Sequence, residues 1–132
     1  MSQTSDLAVL DLDHLSKMTM GDEGLAAEII AIFQEQAAMW GRLLSAKEPA
    51  GTWADAAHTL KGSALGIGAI RLARYCERAE TLGRSGTATP AQAAVALDDV
   101  RAALGEALEA AAAAAHKFAV SSDLSASNAS NS

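Results

Sequence analysis

Trp53, Ala57, Leu60, Ala64 and Ile67 recur at i, i+4, i+7, i+11 and i+14. This spacing lines one face of an α-helix. His58 stands one residue off that stripe, and Lys61 and Gly62 follow it by three and four positions, so the three are neighbours on the outward surface of the same helix. The same period returns along most of the chain. Leu25, Ile29, Ile32, Phe33, Met39, Trp40, Leu43 and Leu44 trace a stripe with Gln36 as its polar exception. Leu72, Cys76, Ala79 and Leu82 trace another, and Leu97, Val100, Leu104, Leu108, Ala111 and Ala115 a third. Half of the 132 residues are hydrophobic and only 4% aromatic, and the abundance of alanine favours helix. The length suits one domain.

Punctuation between the stripes is legible. Asp11 suits the N-cap of a short helix through Met18, with Leu12 and Leu15 expected inside. Thr19 to Gly21 is a break, after which Asp22 can cap the second helix and Glu23 suits its positive end. Gly41 within that helix costs roughly 1 kcal/mol relative to alanine. Pro49 and Gly51 end the second helix, and Thr52-x-x-Asp55 has the pattern of a helix start. The third helix is expected to run to about Ile67, with Gly66 and Gly68 at a bend, and the fourth to end between Gly83 and Gly86. Thr89, Pro90 and Gln92 read as N-cap, first-turn proline and capping-box partner of the fifth. The fold expected is all-α: an antiparallel up-and-down four-helix bundle with a short extra N-terminal helix. Residues 1–6 are a polar, flexible lead-in, 7–117 the bundle, and 118–132 a Ser/Asn/Ala-rich tail expected to be disordered.

A net charge of −6 argues against nucleic acid or an anionic membrane as principal partner. No apolar run approaches the ~20 residues that span a bilayer, and Met1 to Asp6 lack the layout of a signal peptide; the expectation is a cytoplasmic monomer. Cys76 has no second cysteine to pair with and shares an apolar stripe, so it reads as packing. His14 and His116 lack ligand-spaced partners, and no metal site is expected.

The motif around His58 carries the chemistry. A neutral imidazole is a nucleophile at one nitrogen while the other holds the proton, and a pKa of ~6.5 leaves a large neutral fraction near pH 7. Such a ring can hold a phosphoryl group as a phosphoramidate bearing a charge of about −2. Lys61 can meet its oxygens. Gly62 leaves the ring open to a folded donor. A third group should fix the tautomer and orientation of the ring, and Glu80, one turn after Cys76, is placed to do so from the fourth helix.

Ala57-His58-Thr59-Leu60-Lys61-Gly62-Ser63, followed in register by Gly68, Leu72, Cys76 and Glu80, resembles the signature of histidine-containing phosphotransfer (HPt) domains. The similarity extends from about Leu7 to His116 and includes Phe33. The resemblance implies a four-helix bundle with His58 as phosphoacceptor at Nε2. It implies Lys61 beside the phosphoryl group, Glu80 orienting the ring and Gly62 clearing a docking surface. The partners implied are response-regulator receiver domains and a hybrid histidine kinase in a multistep phosphorelay. No cofactor is expected on this chain, and magnesium is expected on the receiver. The chain is read as a phosphoryl carrier and not an enzyme, since an autonomous kinase would need a nucleotide-binding domain. A helical adaptor that binds receivers without being phosphorylated is the alternative. Ala54, Lys61, Gly62 and Leu65, one turn apart around His58, are the expected partner surface, with Leu65 as an outward apolar residue.

Overall fold

The computed structural model describes residues 6–131, with side chains described from 6 to 120; the expected lead-in therefore lies outside the described residues apart from Asp6. Among the described residues the elements are α1 (Leu12–Met18), α2 (Glu23–Gly41), α3 (Ala50–Ile67), α4 (Ile70–Ser85) and α5 (Pro90–Asn131). Helices α2 to α5 form an antiparallel up-and-down bundle. Each packs against its two neighbours around the ring, α2 on α3, α3 on α4, α4 on α5 and α5 on α2, and α1 leans on α2 and α3.

Side-chain caps start three of the helices. The Asp11 carboxylate accepts the His14 N–H at 3.0 Å, and Asp22 accepts that of Leu25 at 3.0 Å. Thr89 and Gln92 form a reciprocal capping box: the Gln92 N–H donates to Thr89 Oγ1 at 3.1 Å, and the Thr89 N–H to Gln92 Oε1 at 3.0 Å. The start of α3 differs from expectation. Pro49 occupies its N-cap with no side-chain hydrogen bond, and helix geometry begins at Ala50, upstream of Thr52. Proline and the short loop set this start, which frees Asp55 for a contact described below.

The core stripe of α3 is as expected: Trp53, Ala57, Leu60, Ala64 and Ile67 are all buried. That of α2 is rotated. Its buried residues are Ala26, Ile30, Phe33 and Ala37, while Leu25, Ile32 and Met39 are exposed. Small alanines take the inward positions because they let α2 approach its neighbours, and larger residues seven apart are left outside. Leu12 is also exposed, so Leu15 alone anchors α1 in the core. Trp53 is a buried core anchor, whereas Trp40 is half-buried, its indole N–H donating to Gln36 Oε1 at 3.0 Å.

Two glycines are demanded by close approach. Gly68 ends α3 with φ +80°, and a Cβ there would lie 2.9 Å from the Asp11 carbonyl oxygen. The Asp11 N–H donates to the Gly68 carbonyl at 2.9 Å, tying the N-terminal segment to this turn. Gly83 of α4 faces α3, where a Cβ would lie 2.7 Å from the Trp53 ring and 2.8 Å from Ala54 Cβ. This contact brings the backbones of α3 and α4 together.

At the other end of the chain, Phe118 packs against the core beside the α1–α2 turn, and α5 remains helical through Asn131. The boundary expected at 118 falls within this helix. Extending an existing helix adds one hydrogen bond per residue without a new nucleation step, and Phe118 supplies an apolar contact beyond the alanine run.

Candidate functional site

His58 lies on the outward face of α3 with its side chain 62% exposed. It is one residue off the buried stripe, as its spacing requires. Across the α3–α4 seam, the Leu72, Ala73, Cys76, Ala79 and Gly83 face of α4 is buried, which turns Glu80 toward the rim beside His58. The His58 Nδ1 atom is 2.8 Å from Glu80 Oε2. A carboxylate so placed accepts the Nδ1–H, and this leaves the lone pair on Nε2. Lys61 Nζ donates to the other oxygen, Glu80 Oε1, at 2.9 Å. The sequence thus placed three residues that the fold brings together through one carboxylate.

Glu80 is the hub of this cluster, with only 17% of its side chain exposed. The hydrogen bond from Lys61 holds its carboxyl below the usual range, outweighing the opposing effect of burial, with the charges of Lys61 and His58 adding to it. The same hydrogen bond holds the Lys61 ammonium above its usual value against desolvation. Cys76, buried beneath, has its thiol pushed up to about 12 by desolvation, so it stays protonated and serves as packing.

Two charged residues of the cluster escaped sequence reasoning. Arg84 Nη2 is 2.6 Å from Asp55 Oδ1 and 3.9 Å from Glu80 Oε2. Both were findable by helix pairing: Arg84 follows Glu80 by four residues, and Asp55 precedes His58 by three. The assignment of Asp55 to a helix start hid it.

The expected partner surface needs one correction. Ala54 is fully buried, because the close approach of Gly83 places it in the α3–α4 seam. Gly62 and Leu65 are exposed, Leu65 at 49%. A Cβ on Gly62 would meet nothing within 4 Å, so the fold itself does not require glycine there. Ile32, assigned to the core by its spacing, is 58% exposed. With Ile29, Phe33, Ser63, Gly66 and Ile67 it lines a shallow groove of about 160 Å³ between α2 and α3. Among the described residues there is no group of three or more His, Cys, Asp or Glu side chains able to hold a metal ion, and no helix is long and apolar enough to cross a membrane.

The class defined by this fold and site is an up-and-down helical bundle with an exposed histidine whose inner ring nitrogen is held by a carboxylate of the next helix, leaving the outer nitrogen open. The Hpt domain family model matches residues 26–114, and the chain belongs to that family. It is similar to the crystal structure of histidine phosphotransferase ShpA from Caulobacter crescentus, with 37% identity and a TM-score of 0.70 over 87% of this chain and 98% of that one. No curated protein sequence matches the chain.

Proposed function

We propose that this protein carries a phosphoryl group on His58 between aspartates of receiver domains in a multistep phosphorelay. The observation that carries this reading is the His58–Glu80 contact at 2.8 Å on an otherwise exposed ring. It fixes the proton on Nδ1 and turns the nucleophilic Nε2 toward solvent. Membership of the Hpt domain family supports the same reading.

In the forward step, the Nε2 lone pair attacks the phosphorus of an aspartyl phosphate. The Nε2–P bond forms as the aspartyl O–P bond breaks, and the aspartate leaves as a carboxylate. The ring becomes cationic with Nδ1 still protonated, and the negative charge of Glu80 stabilises that cation. Passing the group to a second receiver aspartate reverses these events. Lys61 meets the phosphoryl oxygens once they arrive. The magnesium ion belongs to the receiver, and this chain brings no bound cofactor. In this reading the protein acts as a monomer and meets the receiver and the hybrid kinase in the cytoplasm.

Docking uses the open surface at Gly62, the apolar Leu65 and Ile32, and the groove between α2 and α3. Incubation with a radiolabelled phospho-receiver should give acid-labile, base-stable label on this protein and none on His58→Ala. Transfer to the alanine variant at the wild-type rate would overturn the assignment. Leu65→Asp should weaken receiver binding with the bundle intact; shift mapping that puts the receiver on α5 would refute this surface.

A further inference from the structure

Glu80 cannot keep Lys61 and also release it to a phosphoryl group without losing its counter-charge. In the unphosphorylated protein the Lys61 ammonium is hydrogen-bonded to Glu80 Oε1 at 2.9 Å. A phosphoryl group on His58 brings about −2 charge to the neighbouring turn, a stronger attractor for that ammonium than a carboxylate of charge −1. Once Lys61 turns to it, Glu80 is left beside the phosphohistidine with no hydrogen-bonded cation. The structure holds one further cation at this point. Arg84 Nη2 is 3.9 Å from Glu80 Oε2 and is steadied by Asp55 Oδ1 at 2.6 Å.

We propose that Arg84 is a positioning residue that neutralises Glu80 when Lys61 is drawn off to the phosphoryl group on His58. This rests on the reading that His58 carries phosphate. Arg84 lies one helical turn from Glu80 on α4, and a side-chain rotation closes the remaining gap without moving the backbone. Asp55, one turn from His58 on α3, holds the guanidinium at the seam in the meantime. Glu80 therefore exchanges one cation for another and keeps its oxygen on Nδ1. Without Arg84, an unneutralised Glu80 shifts the phosphohistidine further toward its Nδ1-protonated form and away from the form that has lost that proton. A ring protonated there is the better leaving group, and the Nε2–P bond breaks sooner.

Two measurements without any receiver test this. The first follows the Glu80 side-chain carboxyl by carbon NMR through an acid titration of unphosphorylated protein. Lys61→Met imitates withdrawal of the lysine. Glu80 should still titrate well below the usual carboxylate range in that variant, because Arg84 takes over beside His58, and should rise further in Lys61→Met/Arg84→Met, where His58 alone remains to hold it down. If Lys61→Met alone titrates like the double variant, the proposal is overturned. The second loads His58 from phosphoramidate, whose P–N bond breaks with loss of ammonia as the Nε2–P bond forms. The phosphohistidine of Arg84→Met should decay roughly two- to fivefold faster than wild type, the scale of one partly exposed ion pair, and Arg84→Lys should restore most of the lifetime. An unchanged lifetime in Arg84→Met overturns the proposal. Failure of the wild-type protein to take label at all would instead strike the phosphoryl-carrier reading, while the titration would still decide whether Arg84 replaces Lys61 on Glu80.

Discussion

Helix α4 has two unlike sides. Toward α3 it presents Cys76, Ala79 and Gly83, and the backbones come so close that a single methyl at Gly83 would overlap Trp53 and Ala54. Toward α5 it leaves open grooves along Arg78, Leu82 and Gln92, with Val95 63% exposed on the far wall. The cluster of His58, Lys61, Glu80 and Arg84 sits on the tight side. A 2.8 Å contact between side chains of two helices survives thermal motion only where those helices cannot slide, and small residues packed to contact supply that constraint. The loose side carries none of these contacts and tolerates change.

Five substitutions would break or sharpen this contrast. The largest effect is expected beneath the tight seam: Leu60→Ala should destabilise the bundle by roughly 2–5 kcal/mol, measured by denaturant unfolding. A wild-type melting temperature would mean that the inward face of α3 is misassigned. Gly83→Ala comes next. Helix propensity alone favours it by ~1 kcal/mol, yet the overlap with Trp53 should cost roughly 1–3 kcal/mol. The expected net is a modest loss of stability together with a lengthened His58–Glu80 contact and slower phosphoryl transfer. A variant with gained stability and unchanged transfer would show that the seam has slack.

On the loose side, Val95→Ala should change stability by no more than ~0.5 kcal/mol and leave transfer untouched. His58→Ala should match it in stability while losing phosphoryl acceptance altogether, so the two exposed sites separate function from folding. The smallest effect is in pH dependence. Glu80 is held below 4.5 and Lys61 above 10.5. The stability contributed by Glu80 is therefore complete above the unfolded carboxylate value and lost as pH falls through the lower folded one. That of Lys61 is complete below its unfolded value and lost as pH rises through the higher folded one. Comparing the melting temperature across pH for wild type and Glu80→Gln should show a shallower acid-side loss in the variant; identical profiles would mean that the pair adds nothing to folding.

The sequence by itself determined the helices, their caps at Asp11, Asp22 and Thr89, and the inward face of α3, because period, cap chemistry and propensity are local. It also placed His58 outward and nominated Lys61 and Glu80, since residues three or four apart on a helix share a surface. Tertiary structure alone decided which face of α2 is buried. Alanine serves inside or outside equally well by composition, and only the closeness of neighbouring helices selects Ala26 and Ala37 over Leu25 and Met39. It likewise buried Ala54 against Gly83 and joined His58, Lys61 and Arg84 around one carboxylate. Those relations depend on the distance between α3 and α4, which no spacing within either helix encodes.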